Sequence, residues 1–129
     1  MKSEEYTDEA FWEQIQSDSH TFLAFWSHTC APCKVMAPVF ERLSKRYRGS
    51  IEFVAVSTYD RPDMAKRFGI SSTPTFILAR RGKALRHFYG VIREQVLAEH
   101  LSAFAPPTAP PDVGGSGIFG RIAGLFRRN

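Results

Sequence analysis

Apolar positions along this chain switch between two kinds of spacing, and the switches mark its elements. In "TDEAFWEQIQ", Thr7 stands where a helix N-cap belongs, acids follow it, and Phe11, Trp12 and Ile15 form one apolar stripe; the spacing predicts a short amphipathic helix. "TFLAFW" (Thr21 to Trp26) is an unbroken apolar run, the pattern of a strand buried on both faces. From Cys33, the residues Val35, Met36, Val39, Phe40, Leu43 and Tyr47 return at helical spacing until Gly49, with Pro38 inside the helix and expected to kink it. "IEFVAVS" is a second buried-type strand, and "RPDMAKRFGI" a short helix with Pro62 in its first turn and Gly69 past its end. "PTFILA" and "ALRHFYG" read as strands joined by a hairpin turn around Gly82. In the closing helix, Arg93 to Phe104, Val96, Leu97, His100, Leu101 and Phe104 share one side. The order α-β-α-β-α-β-β-α, with room for a short strand before Thr7, predicts an α/β fold whose central mixed β-sheet is flanked by helices.

After Ala105 the composition changes. "PPTAPPDVGGSG" (106–117) reads as a Pro/Gly-rich linker. In "IFGRIAGLFRRN" (118–129), Ile118, Phe119, Ile122, Leu125 and Phe126 fall on one helical face, with Arg121, Arg127 and Arg128 elsewhere. Gly120 and Gly124 each cost about 1 kcal/mol of helix stability relative to Ala, so the segment is not expected to be helical in free water. Its pattern suits peripheral contact with an anionic membrane surface or docking to a partner, through Ile118 to Asn129; an extension without a role is the plainer reading.

Composition narrows the picture to one domain over residues 1–105, since 129 residues at 43% hydrophobic content leave little for a second. The net charge of +4 is uneven: acids dominate up to Asp18, and "RLSKRYR" (Arg42 to Arg48) is basic. That run sits at helical spacing with Leu43 and Tyr47 between its charges, which reads as a solvated helix face, and no nucleic-acid partner is expected. The N-terminus has no apolar signal core, and no run reaches the roughly 18 apolar residues of a membrane span. The expected location is cytoplasmic. In a reducing compartment two cysteines point to catalysis before a structural staple.

Those cysteines, Cys30 and Cys33, lie in "FLAFWSHTCAPCKVMAP" between the buried strand and the long helix. Zinc needs four ligands, and His20, His28, His87 and His100 lack the spacing that completes a two-cysteine site, so no metal is expected. Redox exchange has a positive argument. A thiolate at a helix N-terminus feels the positive end of the helix dipole and meets unpaired backbone N–H groups, which lowers its pKa toward neutral. Cys30 is then the attacking nucleophile, and Cys33, one turn in and shielded, resolves the mixed disulfide. Pro32 fixes the backbone between them. His28, as an imidazolium two residues before Cys30, would stabilise the thiolate and make the disulfide more oxidising; its plain reading is an exposed loop histidine.

"FWSHTCAPCKVMAPVFERL" resembles the active-site segment of the thioredoxin family, with Phe25, Trp26, Cys30, Pro32, Cys33, Lys34 and Pro38 matching. "FGISSTPTFIL" is similar to the segment that carries the family's cis-proline, here Pro74, and Gly90 falls at its glycine beside the active site. The resemblance runs from about Tyr6 to Phe104. It implies the thioredoxin fold and thiol–disulfide exchange on protein substrates, with no cofactor beyond the cysteine pair, a thioredoxin reductase as electron donor, and a monomer. By the same resemblance Trp26, Thr29, Ala31, Pro32, Thr73, Pro74 and Gly90 form the substrate surface. Thr73 would offer backbone hydrogen bonds to an extended client. The chain departs from the family at Ala24, which replaces a buried aspartate that assists proton transfer at the second cysteine, and at Ala55, which replaces that aspartate's lysine. Thr29 and Ala31 replace an aromatic residue and a glycine. The alternative function is a thioredoxin-fold binding or assembly module recruited by its C-terminal tail, with redox activity secondary.

Overall fold

Thr21 to Phe25 are fully buried, which requires a partner strand on each side and helices over both faces. A computed structural model, which describes residues 6–110, supplies all four. Helix α1 (Asp8–Gln16) precedes strand β1 (His20–Trp26), and α2 (Ala31–Arg46) leads to β2 (Ile51–Ser57). Then come α3 (Pro62–Arg67), β3 (Thr75–Arg80), β4 (Lys83–Tyr89) and α4 (Glu94–Ser102). The sheet order is β2-β1-β3-β4. β1 pairs in parallel with β2, from His20 opposite Ile51 to Trp26 opposite Ser57, and antiparallel with β3. β3 and β4 form an antiparallel hairpin with an irregularity at Leu78/Ala79. This is the expected mixed sheet flanked by helices. The strand position before Thr7 and the tail from Ile118 lie outside the described residues.

Each sheet face has its own core. On one, Phe22 lies among Phe40, Phe53, Phe76 and Phe88 at ring-centre separations of 5.4–6.1 Å, with Met36, Leu43 and Tyr47 of the α2 segment and Leu97 and Leu101 of α4. On the other, Phe11 and Ile15 of α1 and Met64 of α3 cover Leu23, Phe25, Val54, Val56 and Ile77. Burying a phenylalanine is worth roughly 3–5 kcal/mol against its truncation, so the Phe22 cluster is a principal source of stability.

Local chemistry sets the element ends. Thr7 caps α1 by accepting the Ala10 N–H at 3.2 Å. The turn between β3 and β4 is Arg81–Gly82, with φ of 53° and 76°; positive φ at both positions matches the strand twist of a two-residue hairpin, and the glycine takes it without strain. The turn is pinned to the end of α1, since the Arg81 and Gly82 N–H groups donate to the Ser17 and Ile15 carbonyls. Arg80 and Arg81 also grip the exposed Asp18, and the Arg81 hydrogen bond, followed by the Arg80 charge, holds that carboxyl below the usual carboxylate range.

Two expectations are corrected. Val35 is 56% exposed: the inward stripe of α2 is Cys33, Met36, Phe40 and Leu43, continued by Tyr47, and Val35 stands about 100° away from Met36. In α4 the inward side is Leu97, Ala98 and Leu101, while His100 is exposed and lays its ring against Phe88. The long helix begins at Ala31 and holds Cys33 in its first turn, as expected, and Ser27 to Thr29 separate β1 from Cys30.

The chain does not leave the domain at Ala105. Ala105 is buried, and the Thr108 and Ala109 N–H groups both donate to the Arg46 carbonyl at the end of α2, at 2.8 and 3.1 Å. The Thr108 hydroxyl donates to the Arg48 carbonyl at 2.7 Å, and Ser50 donates to the Pro106 carbonyl at 2.8 Å. A helix C-terminus leaves carbonyls without intrahelical partners, and this segment satisfies them. Thr108→Ala is expected to cost about 1 kcal/mol, and a chain ending at Ala105 to melt below one ending at Pro110; thermal and urea unfolding of the three proteins check both.

Candidate active site

Cys30 is the N-cap of α2. Its sulfur accepts the Cys33 N–H at 3.2 Å, in the place where serine, threonine or aspartate usually supplies an oxygen. Pro32 sits within the first helical turn, where its missing N–H costs nothing. The two cysteines are joined as a disulfide with their Cα atoms 5.2 Å apart. Both residues are buried, Cys30 at 9% exposure and Cys33 at 3%. The first turn presents backbone N–H groups and the positive end of the helix dipole to Cys30.

Three loops meet at this corner. The Cys30 N–H closes the first onto the Ser27 carbonyl, and the Ser27 hydroxyl lies 3.5 Å from that of Thr73. The Thr73–Pro74 peptide bond is cis, as the resemblance implied. The Pro74 carbonyl accepts the Gly90 N–H at 3.0 Å, and the Ile92 N–H points at the Met36 sulfur at 3.4 Å, which ties the third loop to α2. The structure therefore brings Thr73, Pro74 and Gly90 together with the cysteine loop. Thr29, Ala31 and Pro32 are exposed, Trp26, Thr73 and Gly90 are half-buried, and Pro74 is buried.

His28 is exposed. Its Nε2 lies 3.6 Å from Asp60, its ring meets the edge of Trp26 at 4.6 Å, and Tyr59 stands 6.1 Å away on the other side. The Trp26 indole N–H is buried with no acceptor among the described residues. The sequence reading missed Ser27, Tyr59, Asp60, Tyr89 and Val91. Ser27 and Tyr89 adjoin residues already singled out, and Val91 follows Gly90. Tyr59 and Asp60 reach the site only because the parallel pairing of β1 and β2 ends both strands at the same edge, where Thr58 N–H donates to the Trp26 carbonyl at 2.8 Å.

Beneath α2 the sheet carries no charge. Ala24 and Ala55 are paired across β1 and β2, both buried in the core that holds Met36 and Phe40. No group of three or more His, Cys, Asp or Glu residues is placed to hold a metal ion among the described residues.

The thioredoxin family model matches residues 2–103. The chain belongs to the thioredoxin family. It is 31% identical to Thioredoxin 1 of Nostoc sp. over 96 residues, covering 74% of this chain and 90% of that protein. It is 33% identical to Thioredoxin M5, chloroplastic, of Oryza sativa subsp. japonica, over 75% of this chain and 58% of that one. Identity to the thioredoxin of Alicyclobacillus acidocaldarius is 30%, over 74% of this chain and 91% of the relative. With a Cys30–Cys33 disulfide in this fold, the chain is a thiol–disulfide oxidoreductase of the disulfide-reducing kind, and nothing found favours the alternative of a binding module.

Ala24 and Ala55 give this site an apolar floor, at the two positions where the resemblance implied an aspartate and its lysine. Ala24→Asp places a carboxyl in a fully buried apolar site with no cationic partner, which raises the carboxyl's pKa and costs about 2–4 kcal/mol. By the family resemblance a carboxyl at this position assists proton transfer during resolution, so insulin reduction at neutral pH is expected to speed up. Denaturation midpoints and insulin turnover on one preparation check both.

Proposed function

We propose that this thioredoxin reduces disulfides in polypeptide clients, with Cys30 attacking and Cys33 resolving. The observation that carries the assignment is the sulfur of Cys30 at the N-cap of α2, which accepts the Cys33 N–H. In the dithiol form the same N–H and helix end stabilise a Cys30 thiolate. That thiolate attacks one sulfur of the client disulfide, forming a mixed disulfide and expelling the other client sulfur as a thiolate, which takes a proton from water. Cys33, deprotonated, then attacks the Cys30 sulfur, releases the second client thiol and forms the disulfide seen in the structure. Two electrons pass to the client, and a thioredoxin reductase returns them.

Trp26, Thr29, Ala31, Pro32, Thr73, Pro74 and Gly90 form the client surface in this reading, supported by the hydrogen bonds that gather their loops around Cys30. His28 tunes the thiolate in this reading, and Asp60, 3.6 Å from it, offsets part of the field of its cationic form. The protein acts as a monomer in the cytoplasm; among the described residues no helix is long and apolar enough to cross a membrane. Cys33→Ser is expected to stall the reaction at the mixed disulfide. Non-reducing gels of a cell extract passed over this variant check it: client bands that dithiothreitol releases support the assignment, and a trap that stays empty removes it.

The C-terminal tail belongs to the same proposal. Its five bulky apolar residues and three arginines suit contact with an anionic membrane surface or a partner protein. The Thr108 and Ala109 bonds to Arg46 hold the chain before the tail at the end of α2, about 20 Å along the helix from Cys33. Full-length protein is expected to pellet with phosphatidylserine vesicles, and a chain ending at Pro110 to stay in solution. Equal pelleting excludes the membrane part.

A further inference from the structure

Helices α1 and α3 do not cover the whole of their sheet face. They lie over β1, β2 and β3 and leave β4 bare. Ala84, His87 and Tyr89 stand opposite Ala79, Ile77 and Thr75, so they point to the same side as the Ile77 and Ala79 core and are exposed there. A cleft of about 340 Å³ opens between this bare strand and the helices, with Trp12, Phe68, Ala84 and His87 in its walls. Trp12 and Phe68 stack in parallel at 5.8 Å, and the Arg67 guanidinium lies over the Trp12 ring at 4.4 Å. No carboxylate lines the cleft, and Arg67 has no ion-pair partner among the described residues.

Strand β4 leads from the cleft to the disulfide corner. His87 stacks on Tyr89 at 6.3 Å, Tyr89 is 61% exposed, and the next residue, Gly90, is bonded to Pro74. From Tyr89 to Ala84 the strand covers about 16 Å. One aromatic track thus runs from the edge of the client surface to a guanidinium with no ion-pair partner among the described residues.

We propose that this track is an exosite for client polypeptides, taking an apolar side chain against Trp12 and Phe68 and a carboxylate on Arg67. The occupant is an acidic, apolar client segment about five to eight residues from the cysteine under attack. This rests on the client surface lying at Gly90 and Pro74. The charge argument excludes the chain's own arginine-rich tail, which Arg67 would repel. The cleft admits one or two side chains, which suits a client strand. Arg67 and Trp12 are positioning residues here, touching neither sulfur.

The test uses full-length protein, regenerated by dithiothreitol, and peptides carrying one cysteine as its mixed disulfide with 5-thio-2-nitrobenzoate. One peptide set bears a Glu-Leu-Glu segment at the stated distance on either side, and a matched set bears Lys-Leu-Lys. The neutral hydroxyethyl disulfide reports the exchange chemistry alone. The wild type is expected to show a KM about threefold to tenfold lower for the acidic set with kcat unchanged, a preference that fades with added salt. Arg67→Glu is expected to reverse that preference and Arg67→Gln to abolish it, both leaving hydroxyethyl disulfide reduction intact. Equal KM values in the wild type, or a preference that survives both substitutions, overturn the exosite. A dimer in sedimentation that Arg67→Glu dissolves, or acidic-peptide binding that rises on truncation at Pro110, assigns the cleft to a second copy or the tail and also overturns it. Failure of the wild type to reduce hydroxyethyl disulfide instead overturns the assignment of the cysteines.

Discussion

The structure depends on one strand whose five central residues have no contact with water. With Thr21 to Phe25 buried on both sides, β1 can exist only between β2 and β3 and beneath two helical layers. Each face then needs its own apolar filling, which explains two cores in a domain of this size. A short loop carries the chain from the end of this rigid strand to the start of α2. The cysteine loop is therefore anchored at both ends, and Cys30 meets the helix N-terminus as a consequence of packing.

The chemistry at that junction draws on backbone groups more than on charges. The Cys30 sulfur accepts the Cys33 N–H, and the sheet beneath α2 is paved by Ala24, Ala55 and aromatic rings. Two alanines facing each other leave no charge stranded in the core, the costly outcome for one half of a buried ion pair. What this gains in packing it gives up in proton management, since the second sulfur has no carboxylate below it. His28 and Asp60 sit above the corner, beside Trp26, in solvent that screens them.

Much of the fold was legible in the residues because β1 and β2 are continuous apolar runs and α2 carries a long inward stripe. The strand Ile51–Ser57 and the hairpin around Gly82 follow from local pattern alone. Val35 and His100 were misplaced because helical spacing gives the face but not its width: neighbours of the stripe are buried only where another element reaches them. At the site, Cys30, Cys33, Pro74 and Gly90 stand in recognisable motifs. Asp60 and Tyr59 had no signal, since they arrive through the register of β1 with β2. Pro106 to Ala109 read as linker because prolines mark breaks in periodicity; hydrogen bonds to a distant helix end leave no trace in composition.

The latch at Thr108 has an evolutionary consequence. One helix separates it from the disulfide, so sequence that follows Pro110 starts at the far pole of the domain. Extensions there can lengthen, change charge or be lost without crowding the surface that clients approach. Selection can then act on where such a protein is held and on what it reduces as two nearly independent traits, each with its own end of α2.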